Sequence, residues 1–250
     1  MTTYPDTALW TARARLEEWL SSHPGQILLE AEREQLGQVL PRLFGYHILQ
    51  IGALGSHHLL GSSCVSHRIV LDINLQGVLG AANRLMGRPE ALPLAANSTD
   101  VVVLPHILEF TLDPHQVLRE VDRILIGEGH VVVLGFNPWS LWGMWRVALA
   151  WRREAPWCGQ FLGMGQVKDW LRLLGFDIVM SRCFFFRPPL PSPWMMSRLT
   201  CLEQLGGYCW PYWGGAYIVV GKKRVVIFPS LSLGWRESQL IAGGLAKPAS

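Results

Sequence analysis

From residue 47 onward the chain carries four short, almost wholly apolar runs, "YHILQIG", "HRIVLDI", "TDVVVLP" and "GHVVVLGF", separated by segments with room for helices. A strand with one face in water alternates polar and apolar residues. Runs without that alternation suit parallel strands covered on both faces, joined by crossover helices. The pattern therefore predicts an α/β fold with a doubly wound sheet. Helices are expected at 75–86, around "GVLGAANRLM", and at 114–125, "PHQVLREVDRIL", where Val117, Leu118, Val121, Ile124 and Leu125 form one stripe. A further helix, "MGQVKDWLRLLGF", should end at Gly175. Strands are expected in "FDIVMSRCFFF" and "GGAYIVVGKKRVV".

Ahead of the sheet, residues 7–22 and 29–44 show helical periodicity, with Leu9, Ala12, Leu16, Trp19 and Leu20 on one face and Glu17 and Glu18 on the other. His23-Pro24-Gly25 is expected to separate these helices. The segment 187–215 should be irregular or a short helix, and the tail from 229 to 250 loose. No internal repeat is visible.

At 250 residues, one large domain is enough, and the chain can bury a substantial core. A net charge of +3 gives no concentrated basic stripe, so nucleic acid is not an expected partner. Five cysteines, odd in number and without Cys-x-x-Cys spacing, suit a reducing compartment, and a cytoplasmic location is expected. The N-terminus has charges where an export signal needs its apolar core. One stretch, residues 131–151, "VVVLGFNPWSLWGMWRVALAW", approaches the length of a membrane span. Asn137-Pro138 interrupts it, so it reads as a strand, a turn and an amphipathic helix.

The first apolar run leads into "HILQIGALGSHH", residues 47–58, whose glycines are Gly52 and Gly55. A dinucleotide loop requires Gly-x-Gly-x-x-Gly, so a nicotinamide-dependent oxidoreductase is disfavoured. Open α/β sheets bind ligands at the carboxyl ends of their strands, where a glycine allows close approach. Gly52 stands there, although two glycines alone also make an ordinary turn. Asp72 ends the next strand about twenty residues later, the separation at which an acid accepts hydrogen bonds from a ribose diol. The plainer role for Asp72 is a turn former or helix cap.

With these features in place, the run "LDINLQGVLGAANRL" through "EALPLAANSTDVVVLPHILEFTLDPHQVLREVDRILIGEGHVVVLGFNP" resembles the class I S-adenosylmethionine-dependent methyltransferases. The motifs "LPHILEF", "DPHQVLREV" and "GFNPWSLWG", with the later "DWLRLLGF" and "YCWPYWGGAYIVVGKKR", are similar to a bacterial, methyltransferase type 11-like branch. The resemblance implies a Rossmann-like, seven-stranded, mostly parallel sheet with an antiparallel last strand and helices on both faces. It implies S-adenosylmethionine as cofactor. Gln50, Gly52 and Ala53 would lie at its methionine portion, Asp72 at the ribose and Ile73 against the adenine. Glu90, Ala91 and Leu92 would stand near the adenine edge, and Pro105 and His106 beneath the transferable methyl group. The chain departs from the family loop at Gln50, Leu54 and Ser56, where an acid and two glycines are usual. Arg88 and Pro89 likewise replace an acid and a residue with a free amide.

His106, with Glu109 one turn on, is placed to remove a proton from a methyl acceptor, or else only to hydrogen-bond the chain or cofactor. His57, His58, His67 and His106 lack the clustering and second shell of a metal centre, and no metal is expected. Trp139, Trp142 and Trp145 recur every three residues. They suit core packing, an aromatic lid over an acceptor, or contact with a membrane surface. Glu109, Asn137, Trp139 and Trp142 are the expected acceptor-binding residues.

The combined expectation is N-terminal helices over 1–46 covering the site and a methyltransferase domain over 47–228. A tryptophan-rich lid at 138–165 and a loose tail complete it. The expected activity is methylation of a small-molecule acceptor that is apolar or aromatic. The alternatives are a non-catalytic S-adenosylmethionine-binding protein and a peripheral membrane methyltransferase acting on a lipid or quinone.

Overall fold

The computed structural model describes residues 6–54, 59–73, 83–149, 159–187, 210 and 212–225. Its strands are β1 (His47–Ile51), β2 (His67–Asp72), β3 (Asn83–Met86), β4 (Thr99–Pro105), β5 (Leu125–Phe136), β6 (Phe176–Phe184) and β7 (Ala216–Lys223). They form one seven-stranded sheet in the order β3-β2-β1-β4-β5-β7-β6. The first five pair in parallel, and β7 runs antiparallel to both β5 and β6. The expected mostly parallel sheet with an antiparallel last strand is the observed one.

Helices α1 (Asp6–Leu20), α2 (His23–Val39), α3 (Pro114–Ile124), α4 (Leu141–Leu149) and α5 (Met164–Leu173) accompany the sheet. Successive strand residues point to opposite faces. Val101 and Val103 of β4, Val132 and Leu134 of β5, and Ile218 and Val220 of β7 share a core with Leu16 and Leu20 of α1 and Leu28, Leu29 and Leu36 of α2. The intervening Val102, Leu104, Val131, Val133 and Val219 share the other core with Val117, Leu118 and Val121 of α3 and Val167 and Leu171 of α5. Full burial of one such side chain contributes about 1.5–3 kcal/mol. The N-terminal helices are thus one layer of the fold itself.

Several boundaries differ from expectation for identifiable reasons. Residues 83–86 are not helical but form the edge strand β3, paired among the described residues with β2 alone. As an edge strand it has little to bury, and only Leu85 packs against the core, so its sequence lacks the uninterrupted apolar run of its neighbours. The rest of that expected helix, residues 74–82, lies outside the described residues. Helix α2 begins at His23, not after Gly25, because proline is tolerated in a first helical turn. The α1–α2 connection is tight: a Cβ at Gly25 would lie 2.4 Å from the Trp19 carbonyl oxygen. The same helix stops at Val39, before the Pro41 that cannot continue it, and a 3-10 turn follows over Leu40–Arg42.

Other local expectations match. Asp113 caps α3 by accepting from the Gln116 amide at 3.0 Å, and Pro114 opens the helix. Gly175 closes α5 with φ +86° and donates its amide to the Arg172 carbonyl at 3.0 Å. The apolar stretch at 131–151 is divided between β5 and α4 by the turn at Asn137-Pro138. Among the described residues no helix is long and apolar enough to cross a membrane. Most of 187–215 and the whole tail from 229 lie outside the described residues.

Candidate functional site

The parallel strands deliver their carboxyl ends to one edge of the sheet, and the expected site residues gather there. Gly52 follows β1 with φ +90°, and its amide donates to the Leu71 carbonyl at 2.7 Å, tying the turn to β2. Asp72 ends β2 and orders the same turn. Its Oδ2 accepts the Ala53 amide and its Oδ1 the Ile73 amide, each at 2.6 Å. Gln50 is buried, and its Nε2 donates to the Gly52 carbonyl at 2.9 Å. It therefore braces the loop from within. Leu54, standing where a loop glycine is usual, packs in the core with α1 and α2. Ser56 lies outside the described residues.

Above this turn sits a side chain that the sequence reading passed over. Arg13 of α1 is 2% exposed and donates from Nη2 to the Ala53 carbonyl at 2.8 Å. A Cβ at Gly52 would lie 2.1 Å from that nitrogen, so the glycine makes room for the guanidinium. Glu17 joins the group, its Oε1 lying 3.9 Å from Arg13 Nε. Burial pushes the Glu17 carboxyl up, the Arg13 charge opposes that, and the Asp72 charge adds to it. Arg13, Glu17 and Asp72 therefore feel one another's fields.

The second constellation centres on His106, directly after β4. Its ring is fully buried, and its backbone has φ +51°, a left-handed conformation that costs about 1–3 kcal/mol in a non-glycine residue and persists only where the surroundings enforce it. Its amide is held by the Leu134 carbonyl at 3.0 Å. The ring lies against Phe136, with centroids 4.2 Å apart. Nε2 faces Glu32 Oε1 of α2 at 2.6 Å, and Nδ1 faces Glu109 Oε2 at 3.0 Å. Glu109 Oε1 accepts the Phe136 amide. Burial disfavours charge on His106, yet the carboxylates of Glu32 and Glu109 outweigh it and push the ring up to about 10. Burial pushes the Glu109 carboxyl up as well, against the His106 charge. At neutral pH His106 is an imidazolium donating from both nitrogens, and such a ring has no lone pair for a further proton.

Beyond Phe136 the sheet edge opens into a cleft of about 560 Å³, lined by Asn137, Trp139, Phe161, Met164, Cys183 and Trp213 among others. Phe161 stacks on Phe136 with centroids 5.0 Å apart, so rings connect His106 to the cleft. Asn137 is buried and secures a wall: its Nδ2 donates to the carbonyls of Tyr212 at 2.7 Å and Gly214 at 3.0 Å. Trp139 is exposed at the rim, whereas Trp142 is buried in the core and donates from Nε1 to the Arg187 carbonyl at 2.7 Å. Of the expected acceptor residues, Asn137 and Trp139 line the cleft, while Glu109 belongs to the His106 unit and Trp142 to the α1–α2 core. His67 begins β2 beside His47, at the opposite end of the sheet from His106, with ring centroids 5.2 Å apart. His57 and His58 lie outside the described residues.

Residues 64–133 match the family model of a methyltransferase domain. The uncharacterized protein YafS of Escherichia coli strain K12 is 32% identical over 164 residues, which are 66% of this chain and 66% of that protein. An S-adenosylmethionine-dependent methyltransferase from Thermotoga maritima shares the fold at a TM-score of 0.59, with 17% identity over 84% of this chain and 99% of its own. Another, from Archaeoglobus fulgidus, does so at a TM-score of 0.56, with 19% identity over 78% of this chain and 94% of its own. Residues 64–133 thus resemble a methyltransferase domain, and the fold is the one that solved S-adenosylmethionine-dependent methyltransferases share.

The residues present fit S-adenosylmethionine, the methyl donor that the matched domain implies. Gly52 lets the Arg13 guanidinium lie over the turn after β1, and Asp72 is fixed at a strand end by two backbone amides. The turn 88–91 lies beside them, since Gly87, just before it, donates to the Asp72 carbonyl at 3.2 Å. Within and after that turn, the Glu90 carbonyl accepts from Gln116 Nε2 at 3.4 Å, Ala91 is exposed, and the Leu92 amide donates to Glu120 at 2.9 Å. Pro105 ends β4 in register with Leu134. The structure thus brings the described residues expected at a cofactor to one edge of the sheet. Arg13 and Glu32 are the additions. Their signal is a charge on the apolar face of an amphipathic helix, Arg13 between Leu9 and Leu16, and Glu32 between Leu28 and Leu36.

Proposed function

We propose that the chain transfers a methyl group from S-adenosylmethionine to a small, apolar or aromatic acceptor held in the cleft beside Trp139 and Phe161. The observation that carries this reading is the continuity of rings from His106 through Phe136 to Phe161, joining the strand-end site to an aromatic cleft. A volume of about 560 Å³ lies in the usual range for small-molecule pockets, and an aromatic lining matches the chemistry such pockets present.

When bound, S-adenosylmethionine supplies an electrophilic methyl group on a sulfonium. Asp72 would receive the ribose hydroxyls, and Gly52 and Ala53, braced by Gln50, would admit the methionine portion. Ile73 and the segment Glu90, Ala91 and Leu92 would border the adenine. Pro105 and His106 would form the floor nearest the acceptor. Methyl transfer is an in-line displacement, so the chain's main contribution is to hold the nucleophile in position, with proton removal where the acceptor needs it. Glu32, His106 and Glu109 together are the candidate proton acceptor. Asn137 and Trp142 act as positioning residues, the first fixing the cleft wall and the second anchoring α4.

Trp139 offers a clean test because its exposed ring can be removed without opening the core. A panel of small phenols, aromatic amines and thiols would be screened for formation of S-adenosylhomocysteine. For an accepted compound, Trp139→Ala should lower kcat/KM about tenfold, equivalent to about 1.4 kcal/mol, and leave S-adenosylhomocysteine affinity unchanged. Turnover indifferent to Trp139→Ala would place the acceptor elsewhere.

A further inference from the structure

Arg13 is a buried cation that the fold leaves incompletely paired. A guanidinium carries five N–H donors. Here Nη2 reaches the Ala53 carbonyl at 2.8 Å, while Nη1 and Nε are buried without a hydrogen-bond partner among the described residues. Glu17 Oε1, 3.9 Å from Nε, offsets part of the charge but lies beyond hydrogen-bond length. Carrying a charge into the interior costs several kcal/mol unless its hydrogen bonds are met, so a guanidinium needed only for packing would be a poor choice.

The position of this group narrows what completes it. Arg13 Nη2 occupies the space that a Cβ on Gly52 would take, directly over the turn after β1. The described residues of that turn are otherwise engaged: Gln50 is committed to the Gly52 carbonyl, Leu54 is in the core, and the Ala53 amide is taken by Asp72. A planar fork with unused donors matches the two oxygens of a carboxylate.

We propose that Arg13 is the anchor for the α-carboxylate of the methyl donor, which would take the unused donors along one edge of the guanidinium, the second Nη2 hydrogen together with Nη1 or Nε. The assignment rests on the methyl-donor reading above. It gives α1 a recognition role in addition to its packing role, and it makes the N-terminal helix part of the cofactor site. Glu17 and Asp72 are the nearby acids.

The test compares S-adenosylhomocysteine with its α-carboxamide, which keeps the adenosine, sulfur and amine but loses the carboxylate charge. Calorimetry on the full chain should show the acid binding about tenfold or more tightly than the amide. In Arg13→Gln that preference should collapse toward equality, through loss of affinity for the acid alone, and Arg13→Lys should retain part of it. Thermal melting of each variant checks that it is folded. Equal weakening of both ligands in Arg13→Gln would show that Arg13 merely supports the loop, and a parent chain that does not distinguish acid from amide would also overturn the assignment. If the parent chain binds neither ligand, the methyl-donor reading itself fails and the assignment falls with it.

Discussion

Replacing His106 with alanine is expected to lower the free energy of unfolding by about 3–5 kcal/mol, the usual cost of removing one partner from a buried ionic group. Among the described residues the imidazolium is the group hydrogen-bonded to Glu32 Oε1, and it lies 3.0 Å from Glu109 Oε2, so its loss leaves two buried carboxylates without their shared partner. Urea titration would measure the loss. Glu32→Leu added to His106→Ala should recover part of it, because it removes one of the stranded charges, and non-additivity of this kind identifies residues that act as a unit.

The same group sets a pH dependence. Its folded value of about 10 lies above its ordinary value of 6.5, so the native chain binds more protons than the unfolded chain between those limits. Stability from this source is full below about pH 6.5 and declines as pH rises toward 10. The Glu109 carboxyl, raised by burial, adds a decline of the same sign starting above its ordinary value of 4.5. His106→Ala should flatten the alkaline part of the profile. A variant as stable as the parent, with the same alkaline slope, would contradict the ionic description.

A second large effect is expected at Gly52. Alanine there must adopt φ +90° and bring its Cβ to 2.1 Å from Arg13 Nη2 and 3.0 Å from Ile107 Cδ1. Strained backbone and overpacking each cost about 1–3 kcal/mol, so Gly52→Ala should destabilise the chain by about that amount or more and weaken S-adenosylhomocysteine binding. Combining it with Arg13→Ala removes the closest contact but not the backbone strain. The double variant should therefore lose less stability than the sum of the single variants. Strict additivity in urea titrations would mean that Arg13 and Gly52 do not compete for this space.

The core of the sheet was legible in the sequence because burial on both faces makes the inner stretches of β1, β4 and β5 nearly continuous apolar runs. β3 was not, because an edge strand that packs one leucine leaves no such trace. Asp72 could be placed by its spacing from Gly52 and its position at a strand end. Glu32 could not be paired with His106, since they are 74 residues apart and only the packing of α2 on the sheet joins them. The tryptophan repeat illustrates the limit of periodicity: identical spacing put Trp139 at a cleft rim and Trp142 in the core, because the helix begins only at Leu141. Charges at core positions of α1 and α2 were the neglected signal. Arg13 and Glu32 violate the amphipathic pattern, and each reaches the carboxyl end of the sheet.

Binding of S-adenosylhomocysteine by the parent chain and by Asp72→Asn, followed by calorimetry, tests the central claim most directly. Asparagine keeps an oxygen for one loop amide but cannot offer both carboxylate oxygens, so the fold should persist, as melting would verify. Saturable binding to one site in the parent, weakened about tenfold or more in Asp72→Asn, is the predicted result. No binding of S-adenosylmethionine or S-adenosylhomocysteine at millimolar concentration, or binding indifferent to Asp72, would contradict it.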